Sequence, residues 1–156
     1  MDFEQNMAAK SQIWVDADAC PQDIKEILFR AAKRTQTNVT LVANQAMRTP
    51  RSEFIQSIAV PTGMNIADRR IVELVQPGDL VVTADIPRAS DVVAKGGQAL
   101  HPRGELYTDQ NIGERLAVRN LFDELRGGGQ ITGGPANFTA KDRQSFANQL
   151  DRWLNS

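Results

Sequence analysis

Two hydrophobic periods alternate along this chain. Gln12-Ile13-Trp14-Val15 is a short apolar run of β-type residues stopped by Asp16, and it predicts a buried strand. Pro21 then opens a helix, since proline suits a first helical position. Ile24, Ile27, Leu28 and Ala31 follow the i, i+3, i+4, i+7 rule of a helix with one apolar face. Val39 to Val42 predicts a second strand, the polar stretch Asn44 to Ser52 with Pro50 a loop, and Phe54 to Val60 a third strand ended by Pro61 and Gly63. Helical spacing returns from Ile66 to Val75, with Ala67, Ile71, Leu74 and Val75 on one face. Gln76-Pro77-Gly78-Asp79 reads as a turn, Leu80 to Thr83 as a strand, Arg88 to Lys95 as a short helix closed by Gly96, and Gln98 to Leu100 as a last short strand.

Strands alternating with helices at this spacing make βαβ units. The expected fold class is α/β, with a mostly parallel sheet and helices on both faces. The final third is more helical. Thr108 caps a helix running to about Leu125, and Gly127-Gly128-Gly129 stops it. A glycine-rich loop continues through Gly133-Gly134-Pro135. Thr139 and Asp142 then form a capping-box pattern ahead of Phe146, Leu150 and Trp153 at helical spacing. Trp14 and Trp153 read as packing residues.

Composition narrows the class. At 156 residues, 41% hydrophobic and 24% charged, the chain is one ordinary globular domain, not a disordered or fibrous one. The polar start, residues 1–11, reads as an extension ahead of a single domain over 12–156. It has no apolar h-region, and no run approaches the length of a membrane span. A lone cysteine makes no internal bridge, and the expected compartment is cytoplasmic. Eighteen basic against 19 acidic residues give a net charge of −1, whereas a purely electrostatic nucleic-acid binder is usually basic. The charge is uneven, however. From Lys25 to Arg51 six basic residues (Lys25, Arg30, Lys33, Arg34, Arg48, Arg51) stand against Glu26. That run is either a solvated helix face or a positive rim for a polyanion.

The candidate chemistry lies where elements end. Asp16 and Asp18 follow the first strand, Asp68 sits in the first turn of a helix, and Asp85 follows Leu80–Thr83. In a parallel sheet the C-terminal strand ends share the edge where ligands bind. Gathered carboxylates repel one another unless a hard cation compensates them, and Mg²⁺ or Mn²⁺ takes such oxygen ligands together with substrate phosphates. Each acid also has a structural reading. Asp18 is a cap for the helix opened by Pro21, Asp68 is favoured by the helix dipole, and Asp85 belongs to the turn before Ile86-Pro87. Their joint placement is what sets a metal site beside these.

Other candidates point to structure. His101 beside Pro102 reads as a surface residue with no partner for a zinc site, Cys20 as a small packed residue, Asp79 as a turn residue and Asp91 as a solvated one. The glycine-rich loop fits neither the phosphate-loop nor the dinucleotide pattern. Arg103 is either a phosphate contact or one half of an ion pair.

The run Trp14-Val15-Asp16-Ala17-Asp18-Ala19-Cys20-Pro21 resembles the signature of the YaiI/YqxD family, bacterial proteins of unassigned function. Gly78 to Pro87, Pro102-Arg103-Gly104-Glu105 with Tyr107-Thr108, and Gly133-Gly134-Pro135 carry the same resemblance, which extends from about Ile13 to Leu154. That family is similar in turn to PIN-like nuclease domains. The resemblance implies a PIN-like three-layer sandwich with a Mg²⁺ or Mn²⁺ site on Asp16, Asp68 and Asp85, and Asp18 in a variable polar position. Thr83 matches the hydroxyl residue that often precedes the last Asp. The glutamate of an early PIN helix has no counterpart, and Asn65 stands where relatives often carry an acid. Both departures weigh against a second metal.

The expected function is a metal-dependent phosphodiesterase, ribonuclease-like, acting on single-stranded RNA. Asp16, Asp18, Asp68 and Asp85 would carry the chemistry, and Arg48, Arg51, Thr83, Arg88 and Arg103 would contact substrate. Two rivals stand beside it: a non-catalytic module that binds RNA or protein, and a phosphatase or nucleotide hydrolase on the same site.

Overall fold

The computed structural model describes residues 11–63, 66–127 and 137–156, except for the side chain of Asp68. The N-terminal extension up to residue 10, Asn65 and the glycine-rich loop 128–136 lie outside the described residues. Among the described residues six strands form one sheet: β1 (Ile13–Asp16), β2 (Val39–Ala43), β3 (Ile55–Ala59), β4 (Leu80–Val82), β5 (Gln98–Leu100) and β6 (Leu106–Tyr107). Among the same residues five helices pack on it: α1 (Gln22–Thr35), α2 (Ile66–Leu74), α3 (Ile86–Ala94), α4 (Ile112–Gly127) and α5 (Ala140–Leu154). A single 3-10 turn, Ala17–Ala19, separates β1 from α1.

The sheet order is β3-β2-β1-β4-β5-β6. All neighbours are parallel except β5 and β6, which are antiparallel. Alternation along each strand sorts side chains between two faces. Ile13, Val15, Leu41, Leu80, Val82 and Leu100 meet Ile24 and Leu28 of α1 and Phe146 and Leu150 of α5. Trp14, Val42 and Val81 point the other way, onto Ala67 and Ile71 of α2 and Val92 of α3. Ala89, Ala99, Tyr107 and Ile112 extend that second layer to α4. The result is a three-layer α/β sandwich. Phe146 and Leu150 are essentially inaccessible to solvent, so truncating either to alanine removes about 2–5 kcal/mol.

Several boundaries differ from the sequence reading, each for a local reason. Helix α3 starts at Ile86 rather than Arg88, because Asp85 caps it and Pro87 is tolerated in a first turn. The helix after Thr108 begins only at Ile112. Thr108 contributes its carbonyl to the Ile112 amide and its hydroxyl to the Gln110 amide, closing a turn ahead of the helix. Strand β6 has two residues, too short to leave a periodic signal. The Thr139–Asp142 capping box forms as expected, both halves present.

Asp79 is more than a turn residue. It is 3% exposed and accepts three N–H groups: Gln12 N at 2.9 Å, Gln76 N at 2.9 Å and the Trp14 indole Nε1 at 2.9 Å. It ties the start of β1 to the turn before β4 at the N-terminal edge of the sheet. This bond also explains how Trp14 buries a polar N–H.

The Pro102-Arg103-Gly104-Glu105 motif is a clamp. Gly104 has φ +101°, and a Cβ there would meet Ser145 Cβ at 2.5 Å and the α5 backbone at 2.7 Å, so the β5–β6 loop seats on α5 only with glycine. Arg103 pairs with Asp142 at 2.8 Å, donates to Asn137 O at 3.2 Å and lies over the Phe138 ring. Glu105 pairs with Arg115 of α4.

Candidate active site

Strand order reverses between β1 and β4. From β1 the chain moves outward to β2 and β3, then returns to β4 on the other side of β1 and moves outward to β5 and β6. Connections leave the two central strands in opposite directions, which opens a crevice at their C-terminal ends, the usual ligand position in an open α/β sheet. Here a cleft of about 370 Å³ is lined by Asp16, Ala19, Ala84, Asp85, Ile86, Pro87 and Arg119.

Asp16 is the last residue of β1 and Thr83 follows β4 directly. The buried Thr83 hydroxyl spans the seam, donating to Asp16 Oδ2 at 3.4 Å and accepting the Asp85 amide at 3.1 Å. Asp85 caps α3, its Oδ1 accepting the Arg88 amide at 3.1 Å. Oδ2 of Asp85 has no hydrogen-bond partner among the described residues. Two acids remote in sequence are thus held at one opening by one hydroxyl.

The other expected site residues are placed as follows. Asp68 lies in the first turn of α2, which enters from the same C-terminal edge; its side chain lies outside the described residues. Among the described residues no group of three acidic, histidine or cysteine side chains converges. Asp18 is exposed and does not line the cleft; its Oδ2 accepts the Asn44 amide at 3.0 Å, tying the 3-10 turn to the end of β2. It does not cap α1, whose N-cap is Pro21. Arg88 turns its guanidinium to Asp91 at 3.0 Å. Arg103 serves the α5 clamp described above, which is the ion-pair alternative of the sequence reading.

Arg48 and Arg51 are exposed on the β2–β3 connection and do not line the cleft. Arg51 precedes Phe54, whose carbonyl receives the Val39 amide at the N-terminal edge, so it stands toward the opposite edge from Asp16. Nor do the basic residues of α1 gather into one rim. Arg34 pairs with Asp151 of α5 at 3.3 Å, and Arg30 lines a groove between α1 and α5 with Asp23, Glu26 and Arg143.

Burial pushes the Cys20 thiol up to about 12, against the attraction of Lys25, so it stays protonated and packed. His101 is half-buried rather than on the surface. Its Nδ1 accepts the Arg103 amide at 2.9 Å, and burial, then the Arg103 charge, holds its pKa below the ordinary value.

The sequence matches the family described as "Uncharacterized BCR, YaiI/YqxD family" over residues 14–156. The chain belongs to that family. A "UPF0178 protein" of Shewanella amazonensis is 60% identical over 143 residues, covering 92% of this chain and 96% of the relative. Similar proteins of the same description come from Janthinobacterium sp. (strain Marseille), 59% identical with 92% and 95% covered, and Dechloromonas aromatica, 60% identical with 92% and 95% covered. No solved structure matches the chain. The YaiI/YqxD span contains every residue that lines the cleft. Among the described residues no helix is long and apolar enough to cross a membrane.

Arg119 of α4 is the lining residue that sequence reasoning missed in this YaiI/YqxD protein. It sits mid-helix, remote in sequence from all the acids, with no turn or strand end to mark it. Its helix leaves the large apolar residues Val118, Leu121 and Phe122 exposed, which only the folded structure reveals.

Proposed function

We propose that this chain is a PIN-like, Mg²⁺- or Mn²⁺-dependent phosphodiesterase acting on single-stranded RNA. The observation that carries the reading is the meeting of Asp16 and Asp85 in one cleft at the switch point, joined through Thr83. Two carboxylates beside an open cleft fit the ligand set of a Mg²⁺-type ion, which takes one or two carboxylates and completes its shell with water and substrate phosphate. Asp16 and Asp85 would hold the ion, with Asp68 entering from the same edge. When bound, the cation supplies charge neutralisation at the scissile phosphate and a lowered pKa for water.

The chain's own residues do the rest. Thr83 fixes the Asp16 carboxylate by donating to Oδ2, and the α3 N-terminus fixes Asp85 through Oδ1. Both acids are therefore pre-set before ligand arrives, which lowers the cost of ordering them. Ile86 and Pro87 add apolar surface to the lining of the cleft.

The test is turnover of labelled single-stranded RNA, with nucleoside monophosphates in parallel, in Mn²⁺ and in chelator. Wild type is expected to cut RNA only with metal. Asp85→Asn is expected to lose at least ~10²-fold in cleavage, the scale of losing one electrostatic stabiliser, while RNA affinity stays equal or tightens slightly. Metal-dependent release of phosphate from the monophosphates alone would move the site to a phosphatase. Binding of RNA without cleavage would make the chain a binding module.

A further inference from the structure

The cleft is lined by two carboxylates, Asp16 and Asp85, and a phosphodiester approaching them meets repulsion. A bound cation would offset part of that repulsion, and a positively charged side chain in the same lining would hold the phosphate further. Ala19, Ala84, Ile86 and Pro87 have no side-chain donor. Among the described residues lining the cleft, Arg119 is the one cation. Its guanidinium donates to Asn120 Oδ1 at 3.2 Å and pairs with Asp123 Oδ2 at 3.2 Å, one turn along the same helix. Both partners of that pair are more than two-fifths exposed, and exposed pairs of this spacing contribute little to stability. Asp123 also receives Arg126 at 3.1 Å, so it is not left bare when Arg119 departs. A phosphate offers two oxygens in the geometry a guanidinium fork prefers. The cleft volume of about 370 Å³ is at the small end of ligand clefts. It suits one nucleotide unit of a single strand and not a duplex.

We propose that Arg119 is the phosphate-binding residue of this cleft for single-stranded nucleic acid, and that Asp123 holds its guanidinium until a phosphate displaces it. The assignment deepens the phosphodiesterase reading and rests on the same cleft.

The test is fluorescence anisotropy with a short labelled oligouridylate in chelator, across a salt series, followed by cleavage kinetics in Mn²⁺. Arg119→Ala is expected to raise Kd at least tenfold and flatten the log–log salt slope by about 0.7, one contact on a single strand. Arg119→Lys should recover part of the affinity, Asp123→Asn should tighten binding severalfold, and the double variant should behave as Arg119→Ala alone. In kinetics the loss should appear in KM first. An unchanged Kd and slope in Arg119→Ala, or a double variant that still tightens, overturns the assignment, as does a wild type that does not bind. Wild-type cleavage that Arg119→Ala leaves intact in both kcat and KM removes Arg119 and keeps the metal site. Binding that depends on Arg119 without any metal-dependent cleavage keeps Arg119 and removes the phosphodiesterase. Both positions are exposed, so far-ultraviolet circular dichroism is expected to match wild type in every variant.

Discussion

Thr83 Oγ1 lies 3.4 Å from Asp16 Oδ2, across the seam where β1 and β4 separate. The same oxygen accepts the Asp85 amide at 3.1 Å. Parallel pairing of β1 and β4 brings the two strand ends together, and one buried hydroxyl links the Asp16 carboxylate to the Asp85 backbone across them.

Thr83→Val keeps the shape and removes the hydroxyl. It leaves the Asp85 amide without its Thr83 acceptor and removes the Thr83 donor from Asp16. The expected cost is about 1–3 kcal/mol, the penalty of an unsatisfied buried group. For a chain of this length that lowers Tm by several degrees, at about 2–4 °C per kcal/mol. Thr83→Ser should restore both stability and any metal-dependent activity. A valine variant as stable and as active as wild type would detach Thr83 from the site.

Asp79 predicts a structural effect with no link to the cleft. Its two oxygens accept three N–H donors around the start of β1. Asp79→Asn replaces one acceptor oxygen with an NH₂ group facing donors. The expected loss is about 1.5–3 kcal/mol, the worth of a hydrogen bond to a charged group. Urea unfolding followed by tryptophan fluorescence reads it, because Trp14 is one of the donors. Loss of stability below about 1 kcal/mol would mean the network tolerates its own removal.

How far the sequence revealed this design depends on the kind of signal. The strand cores and amphipathic helices were legible because burial imposes a period on them: Ile13 to Val15, Leu80 to Val82 and Ile24 to Ala31 fall where the pattern put them. Asp16 and Asp85 were legible as strand-end acids because parallel topology brings those ends together. Asp79 was not, since a Pro-Gly-Asp turn looks the same whether its carboxylate faces water or three N–H groups. The cap reading of Asp18 failed because its carboxylate accepts from the Asn44 amide just past β2, a partner remote in sequence. Arg48 and Arg51 were grouped with Arg103 by charge alone, and charge carries no direction. Arg119 reaches the cleft only through the packing of α3 against α4, a contact between elements that no local pattern encodes.

His101 makes stability pH-dependent near neutrality. Its folded pKa is depressed below the ordinary 6.5 by burial and then by Arg103. A depressed pKa means the folded state binds the proton less well than the unfolded state. The contribution is therefore fully present above about pH 6.5 and is lost as pH falls through the folded value. Protonation of Nδ1 would also turn the acceptor of the Arg103 amide into a donor. Wild type should unfold at lower urea at pH 5.5 than at pH 7.5. His101→Asn, which keeps an acceptor, should flatten that difference. An equal pH dependence in the variant would place the proton elsewhere.

Thermal unfolding with and without Mn²⁺ reads whether Asp16 and Asp85 form a cation site at the switch point. An ion that binds only the folded chain stabilises it by about 2.7 kcal/mol at a hundredfold excess over Kd, several degrees in Tm for this length. Chelator-treated wild type is expected to show that upward shift, Asp16→Asn and Asp85→Asn to lose it, and Asp18→Asn to keep it. An unshifted wild type, or a shift that survives both Asp16→Asn and Asp85→Asn, contradicts the cation site.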